Sequence, residues 1–183
     1  MTTDVPWVNL KGRWYNMALS MYVASVTLFR QRVAALAKVL DKGAAFAAER
    51  GIDPTTLLES RLAPDMMPLT RQVQLVTDHA VGCPARLAGI ESPVFPDTEK
   101  TFAELDARLT RGLAFLDTLR PEQIDGTEEK EIVLKLLREY RFTGQQYLIG
   151  FVVPNLIFHC TTAYDLLRHA GVPLGKRDFI GAI

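Results

Sequence analysis

Cysteine is scarce: Cys83 and Cys160 are the only two in 183 residues. That excludes a disulfide scaffold and fits a reducing compartment. Charge of one sign is not in excess either. Lys plus Arg is 21, Asp plus Glu is 21, and the formal net charge is zero. A nucleic-acid binder normally shows a basic surplus, so that class is disfavoured, whereas near-neutrality favours self-association. Long hydrophobic runs are also missing. The longest spans residues 147–158 and is interrupted by Gly150, Pro154 and Asn155, which leaves it too short to cross a bilayer. Residues 1–16 hold Trp7 and Trp14 but no continuous apolar core, so they do not read as a secretory signal. No CxxC, HExxH, Gly-rich phosphate loop or Ser/His/Asp motif occurs. The expectation is a cytoplasmic protein that engages neither membrane nor nucleic acid.

What is present is a globular balance of 48% hydrophobic and 23% charged residues, enough for one domain with a real core. Residues 1–16 read as an N-terminal extension, and 17–183 as one domain. Tyr22, Val26, Phe29, Val33, Leu36 and Leu40 recur at alternating spacings of four and three, the stripe of an amphipathic helix. Gly51 should cap it, and Asp53-Pro54 should start a short helix ending near Leu62. Leu69, Val73, Val76, Ala80 and Cys83 form the inner stripe of a second long helix, closed by Gly89. After a Pro-rich connection, Thr101 and Glu104 have capping-box spacing and lead a third helix that stops before Pro121.

Residues 127–143 suit either a helix or a small β-hairpin. The alternation in Tyr140-Arg141-Phe142-Thr143 favours the hairpin. Thr143 and Gln146 again have capping-box spacing, so the last long helix should start near Gly144 and run to about His169. Gly144, Gly150 and Gly175 read as a cap, a close-packing position and a turn. The tail beyond Gly171 reads as extended and packed on the bundle. Four long helices make an all-α, up-down four-helix bundle the natural architecture. Its last helix is apolar almost all round, so the tail and hairpin must cover it, or a second copy must. A homodimer through that helix is the expected assembly.

Three histidines carry what chemistry there is. His79 flanks the inner stripe of the second helix. His159 lies on the last helix, four residues after Asn155 and so on the same face. His169 is about 15 Å further along that axis and suits a last-turn residue answering the helix dipole. A His79–His159 pair across the core is half of a metal site, since imidazole suits zinc, nickel or iron. The alternative is two half-buried histidines bonded to Asn155, Thr162 or a carbonyl. Cys83, one turn after His79, could complete a His79–Cys83–His159 set, although a lone buried cysteine is more often a small core hydrophobe. The pocket candidates are therefore His79, Cys83, Asn155, His159 and Thr162, with His79 and His159 as candidate ligands of a divalent ion such as zinc or nickel.

Several segments resemble a known family. They are Ala48-x-x-Gly51-Ile52-Asp53-Pro54, Arg61-Leu62-Ala63-Pro64-Asp65-Met66, Asp78-His79-Ala80, Phe142-Thr143-Gly144 and Pro154-Asn155. The stretch from His159 through Thr162-Ala163-Tyr164, Leu167-Arg168-His169 and Gly171-Val172-Pro173-Leu174-Gly175-Lys176-Arg177-Asp178-Phe179 belongs with them. Across 17–181 the chain resembles an uncharacterised bacterial domain family within the DinB/YfiT-like superfamily. The resemblance implies a four-helix bundle, often dimeric. It also implies kinship with metal-dependent enzymes, among them transferases that use low-molecular-weight thiols. Such sites take one histidine from the second helix and two, spaced HxxxH, from the fourth. His79 and His159 match the first and last of these, and Asn155 stands where the other would be. Two functions follow as expectations. One is a small-ligand-binding or structural homodimer that keeps a degenerate metal site. The other is a metal-dependent transferase or hydrolase.

Overall fold

The computed structural model describes residues 19–135 and 139–182; the expected N-terminal extension lies outside them. Helix α1 (Leu28–Arg50) continues from a π-helical stretch, Val23–Thr27. Gly51 ends it with φ of 63°, a conformation that suits glycine because it has no Cβ. Asp53 accepts a hydrogen bond from the Thr55 amide at 2.9 Å and opens α2 (Pro54–Leu58). That helix is one turn shorter than its composition suggests. Helix α3 (Leu69–Ala88) ends at Gly89, again left-handed. Lys130 Nζ donates to the Arg86 and Leu87 carbonyls there and so answers two acceptors the helix leaves open. Helix α4 (Phe102–Leu116) starts with the expected capping box of Thr101 and Glu104. A short α5 (Pro121–Ile124) follows; its four residues are too few to show a periodicity.

Strands β1 (Glu131–Lys135) and β2 (Glu139–Thr143) pair antiparallel, Glu131 opposite Thr143 and Lys135 opposite Glu139. The hairpin is therefore real. Ile132 and Leu134 turn inward, and Arg141 on the outer face pairs with Glu131 and Glu139. Gly144 is more than a cap. A Cβ there would lie 2.0 Å from the Thr127 carbonyl oxygen, so two backbone segments cross where no larger residue fits.

The last helix begins as a π-helix, Gln146–Val152, and continues as α6 (Val153–His169). The change of winding has a local cause. Pro154 has no amide hydrogen, and its ring crowds the carbonyl four residues back, at Gly150. The next residue, Asn155, donates from Nδ2 to the Phe151 carbonyl at 2.6 Å. Gly150 itself meets nothing within 4 Å, so it is an open position rather than a close-packed one. The tail is a further short helix, α7 (Lys176–Ile180), rather than extended chain.

Around the bundle α1 adjoins α4, α4 adjoins α3, α3 adjoins α6, and α6 returns to α1. Helix α3 is buried along most of its circumference. The interior is built from Val26, Phe29, Leu36, Val73, Val76, Leu105, Leu109, Leu148 and Leu156, all at most 3% exposed. The helix Gln146–His169 is long and apolar enough to cross a membrane by length and composition, and 39% of its most apolar window is buried inside the bundle. One face of it therefore packs as a core helix, while Ile149 and Phe158 stand exposed.

Candidate functional site

Helices α3 and α6 bring His79 and His159 together. Their rings stack nearly parallel, with centroids 5.7 Å apart and planes 13° from one another. Phe151 meets His79 edge-on at 6.3 Å, and Phe158 meets His159 edge-on at 5.3 Å. Phe151 leads onward to Tyr147 and Phe142, so aromatic rings run from the hairpin to the histidines.

The two imidazoles differ in how they are held. His159 Nδ1 lies 2.7 Å from Oε1 of Gln72, and Gln72 donates from Nε2 to the Met67 carbonyl at 2.9 Å. With its NH2 committed to Met67, the Gln72 oxygen can only accept. His159 therefore carries its proton on Nδ1 and presents a bare Nε2. Neither ring nitrogen of His79 has a hydrogen-bond partner on another described residue. Burial first, then the neighbouring His159 and Arg86, lower the His79 pKa from the usual 6.5 to about 4. Burial and the charge of Arg71 lower that of His159 as well. Both rings are neutral at pH 7 and offer lone pairs.

The remaining candidates do not join them. The Asn155 amide is engaged at the junction of π- and α-helix. Thr162 donates to the Phe158 carbonyl in its own helix. Cys83 is fully buried, which pushes its thiol well above the usual range. The expected partner of a bonded histidine was Asn155, Thr162 or a carbonyl; the actual one is Gln72. Its position was readable in principle, since Gln72 lies seven residues before His79, two turns along one face of α3. His169 sits exposed in the last turn of α6, as expected.

Among the described residues, no three His, Cys, Asp or Glu side chains gather closely enough to hold an ion. A resident zinc centre uses three protein ligands or more. Two imidazoles and an engaged Asn155 fall one short, so the side chains described do not fit a resident metal.

Beside the pair lies a second polar group of different character. Arg108 is 1% exposed and contacts Asp78 at 2.5 Å, Glu99 at 3.0 Å and Asp97 at 3.1 Å. Arg71 reaches Asp97 at 2.5 Å. Phe95 lies under both Arg108 and Arg111, at 5.2 and 4.7 Å. These contacts strap the connection between α3 and α4 onto both helices.

A family model for a domain of unknown function, DUF1993, matches residues 21–180. A solved structure of a DinB family member protein from Shewanella denitrificans superposes with a TM-score of 0.81 at 36% sequence identity, covering 88% of this chain and 92% of that one. Comparison with curated proteins finds no match. The family match takes in both histidines, the hairpin and α7, and the chain belongs to the DUF1993 family, with a DinB-like helical fold.

Proposed function

We propose that this protein is a small-ligand-binding homodimer in which the His79–His159 pair, the remnant of a metal centre, is the binding element. One observation carries the reading: two neutral, stacked imidazoles, one with its tautomer set by buried Gln72, and no third metal ligand beside them among the described residues. Such a pair accepts hydrogen bonds from a ligand's N–H or O–H groups. Phe151 and Phe158 supply an apolar rim.

The dimer part is supported by the exposed side of the last helix. Ile149, Val153 and Ile157 form one row at spacings of four; Gly150, Pro154 and Phe158 form the next. Ile149 and Phe158 are 44% and 53% exposed, and the open space at Gly150 leaves a notch that a side chain from a facing helix can fill. A contiguous apolar surface of this kind marks an interaction site, and a second copy of the same chain is the partner we assign.

A second reading, a metal-dependent transferase or hydrolase, gains from the Gln72–His159 bond. A hydrogen bond to one imidazole nitrogen is how an outer partner orients a metal ligand. Metal analysis of protein purified without chelator separates the two. The ligand-binding reading expects sub-stoichiometric metal, unchanged in a His79→Ala, His159→Ala double variant. One ion per chain, lost in the double variant, would overturn it in favour of the enzyme. Light scattering tests the dimer: Phe158→Asp should convert dimer to monomer. A wild-type monomer, or flotation of the wild type with neutral lipid vesicles, would reject a second copy as the occupant of that face.

A further inference from the structure

Two clefts meet beneath α7, on a part of the bundle that the histidine pair does not use. The outer one, about 160 Å³, is lined by Thr161, Asp165 and Lys176 together with Tyr164 and Phe179. The inner one, about 10 Å³, is lined by Arg32 and Cys160 and shares Tyr164 and Phe179. Those two rings meet edge-on at 5.9 Å and form the partition between the clefts. The inner cavity has room for about one water-sized group.

Ala35, Leu36 and Val39 make the rest of its wall apolar, and two groups in it stand out. Arg32 is 7% exposed. Its Nη1 donates to the Phe179 carbonyl at 2.7 Å and its Nη2 to the Ile180 carbonyl. Its Nε is buried without a hydrogen-bond partner. A buried donor left unanswered is destabilising, so an acceptor beside it would be stabilising. Cys160, 4% exposed, lines the same cavity. The cover is slight. Helix α7 has five residues, none of them buried. It is held at its end by Arg32 and Gln31 and at its start by the exposed Lys42–Asp178 pair at 2.6 Å. Short elements with few buried contacts open at low free-energy cost.

We propose that Cys160 is a gated oxidation site: when α7 lifts, a small hydroperoxide reaches the thiol, and the sulfenic acid formed keeps its added oxygen in the inner cavity, hydrogen-bonded to Arg32 Nε. The thiol first gives its proton to solvent. The thiolate sulfur attacks one peroxide oxygen, an S–O bond forms and the O–O bond breaks. Hydroxide or alkoxide leaves and takes a proton from water. Sulfur is oxidised by two electrons and the peroxide is reduced by two. Lifting α7 takes the Phe179 ring off the inner cavity, opens a path to the thiol and leaves the Arg32 guanidinium on the same cavity wall. Cys83 is the internal control. It is fully buried, and it lines neither cleft.

The test treats the full chain with hydrogen peroxide and dimedone and follows both cysteine peptides by mass spectrometry. The adduct should grow on Cys160 while Cys83 stays unmodified. Phe179→Ala removes the partition and should speed Cys160 labelling about tenfold, with Cys83 unchanged, as expected for local rather than global opening. If Phe179→Ala does not fold, Lys42→Ala decides, since it loosens α7 from the exposed surface; about a two- to fivefold rise at Cys160 alone is expected. Parallel labelling of both cysteines, no labelling of Cys160, or no acceleration in any folded variant would overturn the proposal.

Discussion

Asp78 and His79 are consecutive residues on α3, and they look onto two different polar regions. On the Asp78 side, Arg108 is almost wholly buried, yet three carboxylates and the Pro96 carbonyl answer its terminal nitrogens. On the His79 side, the ring nitrogens of His79 and Nε2 of His159 have no partner among the described residues. The first region is polar and closed except at Arg108 Nε, which is buried without a partner among the described residues, and its hydrogen bonds fasten the α3–α4 connection. The second is polar and open. Closed networks hold a fold together, whereas open lone pairs beside an apolar rim are what a ligand can use.

Substitutions should separate the two. The largest effect belongs to the closed region: Arg108→Ala leaves the mostly buried Glu99 without its cation and Asp78 and Asp97 with Arg71 alone, and should cost about 3 kcal/mol in urea unfolding at pH 7. His79→Gln at the same pH should stay within about 1 kcal/mol. If the two costs are equal, the contrast between the regions is wrong.

A pH series isolates the open region. The folded His79 pKa is about 4 against the usual 6.5, so between those values the unfolded chain binds the extra proton. Stability therefore rises with pH across this window and is lost as pH falls from 6.5 toward 4, by up to about 3 kcal/mol from this residue. Burial raises the pKa of Asp78, which acts with the opposite sign at lower pH. Unfolding at pH 4.5 and 7.5 should show a smaller difference in His79→Phe than in the wild type. An unchanged difference would mean that His79 is not the titrating group.

The Gln72–His159 bond joins the pair to the core. Gln72→Leu should cost about 1–2 kcal/mol and let the His159 proton redistribute between its two nitrogens. Nitrogen chemical shifts of the imidazole read that directly. Shifts that still report an Nδ1-bound proton would refute the orienting role. The smallest effect is expected at Arg141 on the hairpin's outer face, where Arg141→Ala should leave the urea midpoint unchanged within error, because exposed pairs contribute little.

Much of this was readable from residue order. The stripe from Tyr22 to Leu40, the left-handed glycines at 51 and 89, and both capping boxes follow from local rules, and local rules need no partner segment. The same holds for the encounter of His79 with His159, once α3 and α6 are taken to pack together. What stayed hidden depends on other parts of the chain. Gly144 reads as a cap until Thr127 is seen against it. Gly150 reads as a packing residue until the missing amide of Pro154 is set beside the π-turn. Gln72 is one of several polar residues on α3, and only the position of α6 makes it the partner of His159. The tail reads as extended because five residues are too few to show a helical period, and Arg32, which holds them in place, is far away in sequence.

The crossing at Gly144 has a consequence for how the chain tolerates change in length. The backbone leaves the bundle at Thr127 and returns at Gly144, and the Gln145 amide donates to the Glu128 carbonyl at 2.9 Å. The hairpin is thus a detour whose exit and entrance are fastened to each other. Residues added or removed at its tip are absorbed within the detour and do not shift the helices. A tag or a small foreign domain grafted there should leave α3 and α6, and the histidines they carry, in place.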